Sequence, residues 1–219
     1  MTWDWQFVGK ILPDMLAGLL VTIEATLLGS ALAMTLGLLF AFGQRVQSAA
    51  LRRATRFFVE FIRRTPLLVQ LYFLFYILPD WGIILSPLTC GVFGLGLHYA
   101  AYTSEVYRGG IDNVARGQWD AAKACNLSSW HTWWQIILPQ AIPPMIPALA
   151  NYFIAMFKET PILSVISLME VMGVARQEAN IYYRYLEPIS LVGFLFLAIS
   201  IPGIILTRRL DRLFNSAPR

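Results

Sequence analysis

Residues 116–139 read RGQWDAAKACNLSSWHTWWQIILP, a polar, aromatic-studded stretch between strongly apolar runs. Nowhere else does so long a water-compatible segment interrupt the chain. Ala121, Ala122 and Ala124 favour a short helix over 118–125, with Asp120 near its positive N-terminal end and Lys123 farther along. Asn126 then stops it, because asparagine is the commonest non-glycine residue in the left-handed conformation that closes a helix. Ser128 or Ser129 can cap a second helix through Trp130 to Leu138. The expectation is a helix, a tight turn and a helix.

What flanks this segment is too apolar for a soluble domain of 219 residues: 57% of the chain is hydrophobic, 14% is charged, and the mean hydropathy is +0.58. The chain reads as an all-α integral membrane protein in a lipid bilayer. Its net charge of +4 comes from basic residues in blocks beside apolar runs, which fits the positive-inside rule and not the continuous basic surface of a nucleic-acid binder. Cys90 lies in an apolar run and Cys125 in the polar segment, so no disulfide is expected between them. The opening MTWDWQFVGK lacks a basic leader, so the first apolar run is expected to be retained.

The sequence predicts five spans, at 15–42, 57–78, 88–111, 139–157 and 188–206, with residues 116–138 between the third and fourth. Trp3, Trp5 and Phe7 read as an interfacial anchor ahead of the first span. That span is about 42 Å long as helix and so is tilted or projects beyond the apolar core. On the side assigned to the cytoplasm lie Arg45, Arg52, Arg53, Arg56, Arg108, Arg116, Lys123, Arg208, Arg209, Arg212 and Arg219; the other side holds Lys10, Lys158, Arg176 and Arg184. Eleven against four places the N-terminus outside and the C-terminus in the cytoplasm, with Arg63 and Arg64 adding to the inner side.

Polar residues at depth mark candidate pathway positions: Glu24, Gln70, His98, Tyr99, Tyr102 and Asn151. For His98 ordinary packing among aromatics is the better reading, and for Glu24 a position near the outer headgroups, or a structural bond to Thr22 or another span, is an equal contender. Pro66 removes an amide donor and is expected to break the second span. Pro139, Pro143, Pro144 and Pro147 are expected to kink the fourth or leave it irregular. Gly91, Gly94 and Gly96 are expected to let helix backbones approach. Glu105 and Arg108, three apart on one face, are expected to pair, and Lys158 and Glu159 stand at the far helix end as a gate or an end pair. Residues 162–187 read as an external stretch, part amphipathic, that returns along the outer face or dips in as a gate.

The spacing Asp120-Ala121-Ala122, Asn126, Ile136, Leu138-Pro139 resembles the E-A-A, G, I-x-L-P signature of the membrane-spanning subunits of ABC importers, with Asp for Glu and Asn for Gly. Arg63 to Gln70 (RRTPLLVQ) resembles the R-G-T-P-L-L-V-Q stretch of the polar amino acid branch, and AYTSEVYRGG at 101–110 and Lys158 to Thr160 resemble further segments of it. The resemblance implies a type I importer permease whose coupling residues are Gly117, Gln118, Trp119, Asp120, Ala121, Ala122, Asn126, Leu138 and Pro139. It also implies separate ABC ATPase subunits carrying ATP and Mg, a second permease chain that is identical or a paralogue, an extracytoplasmic solute-binding protein, and a bacterial inner membrane location. Runs such as LVQLYFLFYILPD and YRYLEP look most like ectoine/hydroxyectoine permeases; glutamine or histidine is the competing cargo. No GxxxxGK[ST] pattern occurs, so no ATP site is expected here, nor any metal site or catalytic residue. An ATP-independent secondary transporter is the other functional class, and it leaves the structured polar segment unexplained.

Overall fold

The computed structural model describes residues 2–215; Arg219 lies outside them. Among these residues the regular structure is entirely helical. Helix α1 (Trp5–Gly43) starts at Asp4, whose carboxylate accepts from the amides of Gln6 and Phe7. It absorbs most of the stretch read as an interfacial anchor: Phe7, Ile11 and Met15 are buried against Val171, Ala175 and Val192. Partners across the bundle, invisible to local pattern, decide that difference.

The second apolar run is two helices. α2 (Ala49–Arg64) and α3 (Leu67–Tyr72, extended by a π turn to Ile77 and a 3-10 turn to Trp81) meet at a bend of 102°. Residues 57–64 thus belong to an amphipathic helix that begins eight residues earlier, and 57–78 is not one straight span. α4 (Pro87–Asp112) starts at Ser86, whose side chain accepts from the amide of Thr89. Its 26 residues measure about 39 Å, enough to cross a bilayer.

α1 and α4 form the spine. At Gly37 a side chain would meet the Ala100 carbonyl and Thr103, whose hydroxyl donates to the Ala33 carbonyl at 2.9 Å. The backbones also approach at Gly96, whose amide lies against Gly29 of α1. Gly91, Gly94 and Gly96 receive the side chains of Leu163, Leu71 and Leu32.

After α5 (Arg116–Ala124) the chain turns into α6 (Ser129–His131), a π turn (Thr132–Ile137) and α7 (Leu138–Glu159) without interruption. The expected boundary at Pro139 and the expected irregularity at Pro143, Pro144 and Pro147 are both absent. In a regular helix the Pro139 ring would clash with the Gln135 carbonyl; Gln135 sits inside the π turn, where the ladder is wide.

Residues 162–187 are not an open loop. A 3-10 turn (Thr160–Ile166) leads to α8 (Val171–Tyr182), which packs on α1 where Gly18 lies against Val171 and Val174. Glu170 caps α8, accepting from the amides of Met172 and Gly173. α9 (Leu186–Asn215) closes the bundle, tied to the start of α1 through Arg184, which pairs with Asp4 and Glu187. By length and apolarity α1 and α9 can each cross a membrane, and two bent helix pairs raise the number to four.

Candidate functional site

At the Thr65–Pro66 break the chain must satisfy the carbonyls that α2 leaves behind. Thr65 is extended (φ −97, ψ 135), as the residue before a proline tends to be. Its hydroxyl donates to the carbonyls of Phe61 and Ile62, both at 3.1 Å. Gln70 Nε2 donates to the Ile62 carbonyl at 2.9 Å, the Thr65 carbonyl at 3.2 Å and Thr65 Oγ1 at 2.7 Å. Two side chains therefore hold the bend open.

A cavity of about 620 Å³ lies in its crook. Arg63 and Arg64 enter it from the end of α2, His98 and Tyr102 from α4, and Lys158 and Glu159 from the end of α7. The Arg63 guanidinium stands 5.4 Å from the Tyr102 ring centroid, a cation–π arrangement. His98 and Tyr152 flank Tyr102 at ring distances of 5.2 and 5.7 Å. Three buried polar atoms around this cavity find no partner among the described residues: Arg63 Nε, His98 Nδ1 and Gln70 Oε1. Unpaired buried groups are costly and point to a polar occupant. Cations, one carboxylate and aromatic walls together suit a small zwitterion.

The structure brings together four of the sequence-predicted residues: His98, Tyr102, Lys158 and Glu159. Gln70 supports the wall, and Tyr99, 4% exposed, is buried behind it. Glu24 and Asn151 do not line the cavity; both lie on exposed helix faces, Glu24 on α1 and Asn151 on α7. A one-residue step rotates a helix position by about 100°, so Tyr152 joins the cluster where Asn151 cannot. Arg63 and Arg64 were missed as site residues, although their place just before a helix-breaking proline was a usable signal.

The second feature is the 116–138 segment. Asn126 has φ 52, its amide donates to the Lys123 carbonyl at 2.9 Å, and the Leu127 amide reaches back to the Ala122 carbonyl at 3.0 Å. This is a Schellman closure of α5, and Ser128 caps the next helix by accepting from the His131 amide. Ala122 is buried, and Trp119 packs edge-on against Trp133 at 5.3 Å. Gly117, Gln118, Asp120, Ala121 and Lys123 face outward. Gln118 meets Gln140 at 3.3 Å, joining the segment to the start of α7 near Leu138 and Pro139. Glu105 accepts from Arg108 at 2.6 Å, Arg108 also reaches Asp112 at 3.1 Å, and Asp112 pairs with Arg45. These ions lie between the cavity and the exposed segment.

An apolar bundle with a charged cavity at a helix break, and a capped, outward-facing hairpin at one end, has the build of a transporter's membrane subunit. The chain belongs to the family of binding-protein-dependent transport system inner membrane components, whose description matches residues 33–216. It is 41% identical over 215 residues to a probable amino-acid ABC transporter permease, y4tG, of Sinorhizobium fredii (strain NBRC 101917 / NGR234), covering 96% of this chain and 93% of that one. It is 30% identical to the glutamine permease GlnP of Escherichia coli (strain K12), covering 97% and 98%. Its fold matches a crystal structure described as an amino acid ABC transporter with histidines at a TM-score of 0.91 and 31% identity, covering 97% and 99%. It also matches the inward-facing MetNI methionine transporter at a TM-score of 0.67 and 15% identity, a likeness of fold, covering 95% and 99%. By family the chain is thus an inner-membrane permease subunit, similar to those of amino-acid ABC transporters.

Proposed function

We propose that this chain forms half of a translocation path across a bacterial inner membrane and that the cavity at the Pro66 bend receives the solute. The observation that carries this reading is the convergence of Arg63, Arg64, Lys158, Glu159 and an aromatic wall at a break in a membrane helix. Such breaks at depth are tolerated where they line a cavity. In this reading five segments span the bilayer, with the N-terminus outside and the 116–138 segment and C-terminus inside. A second permease chain completes the path, and an extracytoplasmic binding protein delivers the solute. Partner ATPases carry ATP and Mg and grip the exposed face of α5 around Gly117, Gln118, Asp120 and Ala121. Closure of those ATPases moves the hairpin, and the cavity alternates in its access.

For the cargo we propose a small zwitterion, with ectoine or hydroxyectoine first on the resemblance of the second span and of YRYLEP, and glutamine or histidine as the competitors. The named glutamine, cystine and octopine permeases among the relatives support amino-acid chemistry in general. Uptake by the assembled importer, with labelled ectoine competed by glutamine and histidine, is the test. Ectoine is expected to be displaced by neither; displacement by glutamine would reassign the cargo. Copurification of a stoichiometric ATPase supports the importer, whereas solute flux through this chain alone in liposomes would favour an ATP-independent carrier. Asn126→Val places a β-branched residue at φ 52, a local cost of about 1–2 kcal/mol. Transport-coupled ATPase activity should fall while membrane insertion persists; unchanged transport would count against the hairpin as the coupling element.

A further inference from the structure

α2 has three faces. Val59 and Ile62 pack with Phe40, Leu97 and Ala101 of the α1–α4 spine. Phe57, Phe58 and Phe61 form an exposed apolar face. Between these run Arg53, Arg56, Glu60 and Arg64. A second cavity, about 670 Å³, runs along this charged face and the adjoining Phe57 and Phe61, and shares Arg64 and Thr65 with the cavity at the bend. It leads toward the start of α2, the end of the molecule where Gly43 of α1 abuts Thr55 and where Arg45 reaches Asp112 beside the hairpin.

At the junction of the two cavities one carboxylate serves two guanidinium groups. Glu60 accepts from Arg63 Nη1 at 3.4 Å and from Arg64 Nε at 2.9 Å. The first contact is long, and the Arg64 and Glu60 side chains are 80% and 41% exposed, a setting in which ion pairs hold weakly. A carboxylate carried by a solute in the bend cavity is a chemically equivalent partner for both arginines. Arg63 Nε, buried and without a partner among the described residues, is one more donor that such a group can engage.

We propose that Glu60 is the resident counter-ion of this junction. It yields Arg63 and Arg64 to the carboxylate of a bound solute and takes them back as the solute leaves along the charged face of α2. This rests on the reading of the bend cavity as the solute's site. Glu60 is then a positioning residue that acts through the arginines: by competing for them it weakens binding and speeds release. Its removal should move affinity and turnover in opposite directions, which loss of a purely structural contact does not do.

The test uses the complete importer in liposomes with the best-transported of radiolabelled ectoine, glutamine and histidine. Glu60→Gln is expected to lower KM about two- to fivefold, the range set by an exposed ion pair, and to lower turnover by a similar factor. Glu60→Asp should restore most of both, and Arg64→Gln should raise KM. If Arg64→Gln leaves KM unchanged, the cavity is not the solute's site, and the underlying reading fails together with the proposal. If Arg64→Gln raises KM while Glu60→Gln leaves it unchanged or raises it, the cavity stands and the counter-ion role is overturned.

Discussion

One proline breaks the second apolar run, whereas four prolines between 139 and 147 leave the fourth helical. At Pro66 the axis turns by 102°, because the freed carbonyls find new donors in Thr65 and Gln70 and a cavity fills the crook. At Pro139 a π turn precedes the ring, and the prolines beyond it are held by packing: Ala141, Met145 and Pro147 are buried. The same device recurs at Pro79, where the π turn Phe73–Ile77 contains Phe75, four residues upstream. A proline therefore bends a membrane helix where side chains can take over its backbone partners. Where a wide turn relieves the clash and neighbours hold the rod, the helix continues.

The largest effect should come from prising the proline-rich rod off its neighbour. A side chain at Gly110 would meet Met145 Cε at 2.3 Å and the Ala141 carbonyl at 3.0 Å. Methionine can swing aside, but the carbonyl cannot, so Gly110→Val should cost about 1–3 kcal/mol, read as a lower melting temperature in detergent. Next comes Gln70→Leu, which leaves the Ile62 and Thr65 carbonyls short of a donor at a cost of about 1–3 kcal/mol for each group left buried and unpaired. Thr65 covers part of this, since its own hydroxyl already reaches Ile62. Stability should fall less than for Gly110→Val, with KM for the solute raised as the bend loosens. A Gln70→Leu protein with wild-type stability and KM would show that the bend needs no brace.

The residues that were legible in the sequence share one property: their structure is set within a few positions. Asn126, Ser128 and the alanines of 121–124 specify their hairpin by local rules of helix closure and capping. Glu105 and Arg108 are close because they lie three apart on one helix. What was not legible depends on distant partners. The helical state of 139–147 needs α4 alongside it, and the burial of Phe7, Ile11 and Met15 needs α8 and α9. Arg63 and Arg64 were read as topological signals, because a basic pair at the end of an apolar run has that meaning in most membrane chains. Their place in a cavity follows only from the bend and from His98, Lys158 and Glu159 arriving across it. Asn151 against Tyr152 is a question of rotation about one axis, which composition does not resolve.

A smaller effect should follow from Pro66→Ala. If the brace sets the bend, restoring the amide leaves it in place. Spin labels at Arg53 and Tyr76 should then stay about 22 Å apart, the span of two helical legs bent by 102° away from a straight line, against about 35 Å for a straight helix of the same residues. A shift to the longer distance would return the decision to the proline and undo the contrast with the fourth helix.

The smallest change in stability, and the sharpest test of the wide turn, is Pro139→Ala. Alanine supplies an amide where proline has none and removes the ring from the Gln135 carbonyl, so a regular α-helical register becomes accessible across Thr132–Ile137. Helix propensity favours the change, and the melting temperature should hold or rise. A return from the wide turn to the regular register shifts the phase by about one residue, or about 100°, between α7 and the helix bearing Trp130, Trp133 and Trp134. Trp133 is the residue against which Trp119 of α5 packs, so the hairpin would have to turn with it or lose its seat. ATP-driven uptake should fall in a protein that is no less stable. Full uptake by that variant would mean that the π turn serves only to seat the proline, and that the orientation of the hairpin is fixed by other contacts.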